Sequence, residues 1–301
     1  MPLAAFALRE RRARAVRAVL RLRHPGRLSL VLPALAIVVL TALVAAAAAQ
    51  PVIVRQQSLS QRSDAEAFVL FDTSLSMSAA TAPGAPTRLE RAKRLALHLE
   101  RALPDLPIGV ASMTDRSLPN LMPTVDRTLF TRTVHQSVGV DRPPPSQPHR
   151  GRATTFDAIV PLVESHFFPD ALRRRLLVVF TDGEAAKVSP LLGLTLQRRV
   201  ATIFVHVWQP GERIFGASGR PDPRYVADPR STEALRQIAG VVHGADVDER
   251  DPGAIVRAAR AVVGRAATHS VASGYARVPL APWFVLAAAL PLVFLLWRRN
   301  F

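Results

Sequence analysis

The chain has 301 residues, 49% of them hydrophobic, with 39 basic against 23 acidic side chains and a pI near 11.6. It contains no cysteine, which excludes disulfides, iron–sulfur clusters and thiol catalysis, and no glycine-rich phosphate loop that would let the chain itself hydrolyse ATP. The length allows one large or two ordinary domains.

Much of the positive charge sits at one end. Residues 1–27 hold eight arginines (Arg9, Arg11, Arg12, Arg14, Arg17, Arg21, Arg23 and Arg27) against Glu10 alone. Nucleic-acid binding would be one use of such a cluster, but it lacks interleaved aromatics and abuts an apolar run, so nucleic acid is not expected as a partner. A basic amphipathic helix on anionic membrane lipid fits residues 6–23 better. The apolar run, 28–49, is uncharged and interrupted only by Pro33, and a second run at 280–297 is bracketed by Trp283 and Trp297 and followed by Arg298 and Arg299. Each approaches the roughly 20 residues that span a bilayer. Basic flanks stay on the cytoplasmic side, so both termini are expected inside and the intervening domain outside, on the periplasmic face of an inner membrane. An Ala-x-Ala site between Ala45 and Gln50 could release the first run, but its length favours an uncleaved anchor.

Between the spans, Pro51–Asp64 reads as a polar connector. Phe68-Val69-Leu70-Phe71 is a short buried strand that stops at Asp72, with Ser74 and Ser76 following at alternate positions. Thr87 and Glu90 form a capping box for a helix to about Leu103, with Leu89, Ala92, Leu95, Ala96 and Leu99 on one face. Ile108–Met113 is a strand and Asn120–Val125 an edge strand; Asp126 then caps a helix to about Val138. Asp141–Arg152, with Pro143, Pro144 and Pro145, is a surface loop. Thr154–Phe168 reads as a helix, Leu176–Phe180 as a strand ending at Asp182-Gly183, and Ser189–Arg199 as a helix. Ala201–Trp208 is a strand whose His206 reads as a hydrogen-bonded core residue. Pro210–Asp228 is a Gly-, Pro- and Arg-rich excursion, and Asp228-Pro229 and Asp251-Pro252 each open a helix, the second ending at Gly264. Alternation of strands and helices predicts a doubly wound, mainly parallel α/β sheet.

Asp72-Thr73-Ser74-Leu75-Ser76 after a strand, the Gly151-Arg152-Ala153-Thr154-Thr155 loop, and Asp182-Gly183 after a later strand together resemble the von Willebrand factor A (vWA) family with its metal-ion-dependent adhesion site. The resemblance covers roughly 64–265. It implies a Rossmann-like sheet of six strands with one antiparallel edge, and a cation held directly by Ser74 and Ser76. It also implies that Asp72 and Asp182 act through bound water and that a threonine completes the set. That threonine is assigned to Thr154, with Thr155 next, because the family's usual spacing falls on Ala153. An oxygen-only set suits Mg²⁺, Mn²⁺ or Ca²⁺.

The two anchors add a resemblance to bacterial Bat- and Mxa-type proteins, which work alongside MoxR-type AAA+ ATPases in maturing other proteins. The implied function is non-enzymatic: the ion docks an Asp or Glu of a partner protein. Two other readings remain open at this stage. A haloacid-dehalogenase-like, magnesium-dependent phosphatase would use Asp72 as nucleophile but needs a second Asp where Ser74 stands. A membrane scaffold would need no metal, with Asp72, Ser74 and Ser76 merely capping a turn.

Overall fold

The computed structural model describes residues 8, 11–12, 27–145, 155–164, 167–169, 172–184 and 200–300. Most of the basic segment 1–27, Thr154 and the expected helix Ser189–Arg199 lie outside the described residues. The chain divides into two units, 1–57 with 272–301, and 58–271.

The first unit contains α1 (Arg27–Ala48) and, at the other end of the chain, α7 (Ala281–Asn300), the elements between being numbered as they appear below. Both helices are long and apolar enough to cross a membrane, with mean hydropathy 2.6 over Val31–Ala48 and 1.7 over Ala281–Arg298. They pack against each other, yet Val31, Leu35, Val285 and Leu290 stay exposed, as lipid-facing side chains would. Within α1, Pro33 falls in the second turn, and the Thr41 hydroxyl satisfies itself by donating to the Ile37 carbonyl at 2.9 Å.

One expectation is corrected next to these helices. The supposed connector Pro51–Asp64 is mostly strand β1 (Val52–Arg62), paired in a two-stranded sheet with β8 (Thr268–Pro279). The polar composition of Arg55–Ser60 hid the strand, because that stretch carries little hydrophobic alternation.

The second unit is the α/β domain. Its sheet is built from β2 (Ala65–Asp72), β3 (Ile108–Met113), β4 (Ser117–Thr124), β5 (Arg174–Thr181), β6 (Ala201–His206) and β7 (Ala245–Asp248), in the order β4-β3-β2-β5-β6-β7. All neighbours are parallel except β3 and β4. Strand β7 had no counterpart among the predicted strands, since Ala-Asp-Val-Asp is short, half-exposed and acidic. Edge strand β4 holds Pro119 and Pro123, tolerable only where the N–H side needs no partner.

The four central strands β2, β3, β5 and β6 are buried on both faces, and the alternation separates two cores. Ala67, Val69, Phe71, Val110, Val178, Phe180 and Val205 point to one side, against α2 (Arg88–Ala102), α3 (Arg127–Gln136) and α6 (Pro252–Val263). Phe68, Leu70, Leu177, Val179 and Phe204 point to the other, against α4 (Ile159–Glu164) and α5 (Ser231–Val241). Phe71 stacks on Phe180 with ring centres 5.5 Å apart. Gly109 is required on the second face, because a Cβ there would lie 2.5 Å from the Phe68 ring.

The caps largely follow the sequence. Thr87 and Glu90 form the capping box of α2, Asp126 accepts from the Leu129 N–H at 3.0 Å, and Asp251 accepts from the Ala254 N–H at 2.8 Å. Asp228 does not cap a helix: its carboxylate bonds the Arg230 N–H, and α5 begins at Ser231 with Arg230 in the cap position. The predicted helix Thr154–Phe168 is shorter among the described residues, a 3₁₀ turn at Phe156–Ala158 followed by α4.

Candidate metal centre

The chain runs from β2 outward to β3 and β4, then returns to β5 on the other side of β2. The strand order therefore reverses between β2 and β5, and a ligand crevice is expected beyond the carboxyl ends of those two strands. Asp72 is the last residue of β2 and Asp182 the first after β5. Both side chains are fully buried.

Each carboxylate is fixed by short local bonds. Asp72 Oδ1 accepts from the Ser74 N–H at 2.9 Å, and Oδ2 accepts from the Thr181 hydroxyl at 2.7 Å. Asp182 Oδ1 accepts from the Glu184 N–H at 3.0 Å. The turn between them uses Gly183 at φ +73°, where a Cβ would meet the Ser231 carbonyl at 2.8 Å. His206 Nε2 lies 3.1 Å from the Asp182 carbonyl and 3.3 Å from Ser231 Oγ, and its ring stacks on Trp208. It is the hydrogen-bonded core residue the sequence suggested, and burial lowers its proton affinity.

After Asp72 the chain enters a single 3₁₀ turn, Leu75–Ser78, pinned by buried Met77 and by the Met77 N–H donating to the Ser74 carbonyl. This turn brings Ser74 Oγ to 3.0 Å from Ser76 Oγ. Two oxygens bound at adjacent corners of a Mg²⁺ octahedron, with bonds of about 2.1 Å, are separated by about 3.0 Å. The 3.0 Å contact is a hydrogen bond between the two hydroxyls, a separation that two ligands of one small hard cation would also have. Thr73 anchors the other flank, its hydroxyl donating to the Met113 and Arg142 carbonyls, both at 2.9 Å. Thr155 reaches the same end of the sheet, its N–H donating to the Thr114 carbonyl at 3.3 Å. Among the described residues, Asp72, Ser74, Ser76 and Asp182 thus gather at one sheet end; Thr154 is outside them.

The electrostatics carry a further component that the sequence reading passed over. Arg88, the first residue of α2, is completely buried. Its Nη1 donates to Asp182 Oδ2 at 2.8 Å, Glu184 Oε1 at 3.0 Å and the Tyr225 hydroxyl at 2.8 Å, and its Nε donates to Glu212 Oε2 at 2.6 Å. Arg91 extends the cluster, bonding Glu212 Oε1 at 2.6 Å and Glu249 Oε2 at 2.8 Å. A cation in the first turn of a helix opposes the helix dipole, so Arg88 needs acidic partners to compensate. That misplaced charge beside Leu89 was the available signal. Its partners come from Glu184 and from residues 212 and 225, far along the chain, which no local pattern links to it.

Four carboxylates (Asp182, Glu184, Glu212 and Glu249) therefore bond two guanidiniums, and Asp72 lies close enough to Asp182 to feel its charge. The excess shows in the proton affinities. Burial, and then the charge of Asp182, push the Asp72 carboxyl up to about 7. Glu184 is raised by burial and by Asp182 as well. Arg88 pays for its burial, but Asp182, Tyr225, Glu184 and the Glu212 bond hold it firmly charged. An oxygen-only set with surplus negative charge and two hydroxyls at octahedral spacing fits a hard divalent cation. Among the described residues no group of three or more His, Cys, Asp or Glu is arranged to hold a metal ion, so direct ligands would have to come from the hydroxyls.

No protein-family model and no curated protein matches the chain by sequence. Solved structures do match by shape. BatB from Bacteroides thetaiotaomicron, a conserved hypothetical protein, superposes with a TM-score of 0.56 at 19% identity, covering 67% of this chain and 100% of that one. An aerotolerance-related membrane protein from Bacteroides fragilis, carrying multiple mutations to serine, gives 0.55 at 20% identity, covering 66% and 98%. Two thirds of this chain thus share a fold with nearly the whole of each, which bears out the vWA-type, Bat-like fold expected from the three motifs.

Proposed function

From the premise that the domain has the vWA-type fold, we propose that it is a non-enzymatic docking module that grips an acidic residue of a partner protein through a divalent cation. The observation that carries this reading is the 3.0 Å spacing of the Ser74 and Ser76 hydroxyls at the sheet's switch point, beside buried Asp72 and Asp182. Ser74 and Ser76 would hold the ion directly, Asp72 and Asp182 through water, and Thr154 would complete the set. Mg²⁺ is the first choice and Mn²⁺ or Ca²⁺ the alternatives.

The bound cation supplies a Lewis-acidic point on which a foreign carboxylate can replace water. This chain's own contribution is to fix the two hydroxyls, keep both aspartates buried and ionised around a dication, and leave few anionic ligands in direct contact. Such a site retains affinity for an outside Asp or Glu. Position 74 carries a serine where a phosphatase of the haloacid-dehalogenase type needs its second aspartate, which favours docking over phosphoryl transfer.

The two apolar helices support a membrane-anchored protein with two spans. We place it in the inner membrane with the domain on the periplasmic side and both termini cytoplasmic, on the strength of the arginines before residue 28 and after Trp297. Assembly or maturation of another protein, in concert with a MoxR-type ATPase, is the role that the Bat-type resemblance suggests.

Capture from detergent-solubilised membranes tests the docking role. The wild-type chain should retain a partner in Mg²⁺ and release it in EDTA, and Ser74→Ala should retain none. Retention that survives both EDTA and Ser74→Ala would overturn the reading.

A further inference from the structure

The segment Gln209–Asp228, which contains the Pro210–Asp228 excursion of the sequence, is tied to the candidate metal centre by polar bonds to Arg88, Glu184 and Ala80. Glu212 reaches in from the segment, fully buried, to Arg88 Nε, and the Tyr225 hydroxyl accepts from Arg88 Nη1. Tyr225 also donates to Glu184 at 2.9 Å, and the Asp228 N–H donates to the same carboxylate at 3.1 Å. On the other flank, Ala80, four residues beyond Ser76, exchanges two backbone bonds of 2.9 Å with Arg213. Most of the segment's side chains are half-buried or exposed, Ala227 and Glu212 excepted. The loop is held chiefly by polar contacts, with little apolar burial, so its closure is governed by the charges around Arg88.

Arg88 is also left with capacity to spare. Its Nη2 is buried and has no hydrogen-bond partner among the described residues. In a guanidinium, Nε–H and one Nη2–H lie along the same edge, the edge that takes a carboxylate in two parallel bonds. Glu212 now fills only half of that edge. We propose that Arg88 is a positioning residue for the cation site and couples it to the Gln209–Asp228 loop, so that cation binding tightens the loop and the loop forms part of the site.

The coupling follows from charge. Without a cation, Asp182 and Glu184 crowd Arg88 together with Glu212, and their mutual repulsion weakens the closed loop's hold without breaking it. A dication draws Asp182 toward itself and offsets the surplus negative charge. Arg88 can then give its Nε–Nη2 edge fully to Glu212 and its Nη1 to Tyr225. By linkage, whatever loosens the loop must weaken cation binding by the same factor.

This inference rests on the cation reading above, and one experiment separates the two. Hydrogen exchange of the full-length protein in detergent micelles is followed by mass spectrometry in EDTA and in saturating Mg²⁺, with Mg²⁺ affinity measured by calorimetry. Exchange in 209–228 should slow about fivefold or more on Mg²⁺ binding. Tyr225→Phe, which removes only the hydroxyl shared by Arg88 and Glu184, should lower Mg²⁺ affinity severalfold and lose most of the loop's response. Mg²⁺ binding with unchanged exchange in 209–228, or wild-type affinity in Tyr225→Phe, would overturn the coupling and leave the cation reading standing. No Mg²⁺ binding by the wild type would overturn both.

Discussion

Replacing Asp72 by Asn isolates the energetic consequence of burying that carboxylate. In the folded, cation-free protein the Asp72 carboxyl titrates near 7, against an ordinary 3.8, chiefly because it is buried and next because Asp182 is close. Between those two pH values the folded state holds a proton that the unfolded state has lost. Stability therefore falls as pH rises from about 4 to about 7, and is constant above that range. A difference of roughly 3 pH units at 1.36 kcal/mol per unit gives a penalty of about 4 kcal/mol at pH 8. Asparagine escapes this cost and keeps the local bonds: its carbonyl oxygen can still accept from the Ser74 N–H, and its amide can donate to Thr181 Oγ1. Losing a charge-assisted bond subtracts about 1 kcal/mol. Urea unfolding of the 58–271 unit in EDTA should then show Asp72→Asn more stable than wild type by about 3 kcal/mol at pH 8, and equal or slightly less stable at pH 4. Saturating Mg²⁺ should restore the wild type and do nothing for the variant. A stability difference independent of pH would refute the reasoning, because it would mean that burial does not raise the Asp72 carboxyl.

Arg88→Met should destabilise the same unit by about 3–5 kcal/mol in EDTA, since it leaves Asp182 and Glu212 buried without their guanidinium, and chemical unfolding measures it. Phe180→Ala should cost about 3–5 kcal/mol by the same assay, through loss of the stacked Phe71 contact in the sheet core, while leaving Mg²⁺ affinity within about twofold. Asp251→Ala removes the α6 cap and should cost about 1 kcal/mol, lowering the melting temperature by a few degrees. A reporter placed after Phe301 should be cytoplasmic and one inserted near Pro144 periplasmic; the opposite result at Pro144 would reverse the orientation drawn from the arginine bias.

What the sequence made legible was local. Phe68–Phe71 and Leu176–Phe180 were readable as strands because both faces are buried and the run is uniformly apolar. Asp72 and Asp182 stood out because each ends such a run. Strand β7 and the β1–β8 ribbon were not readable, since Ala245–Asp248 is short and acidic and Arg55–Ser60 is polar, so neither stretch carries an apolar run. The Arg88 cluster was invisible for another reason: its members sit at 88, 182, 184, 212 and 225, joined only by the fold. The excursion at 210–228 seemed superfluous when judged by composition, yet Glu212 is among the most buried charges in the domain.

Ser74 and Ser76 are proposed to hold a divalent cation at the ends of β2 and β5. Calorimetric titration of the 58–271 unit with Mg²⁺ at pH 7.5 tests it most directly. The wild type should bind one ion, and at a hundredfold excess over the dissociation constant should gain about 2.7 kcal/mol of stability. Ser74→Ala and Ser76→Ala should each remove most of that binding while unfolding at the wild-type urea midpoint in EDTA. No heat of binding at millimolar Mg²⁺, Mn²⁺ or Ca²⁺, or serine variants that bind as the wild type does, would contradict it.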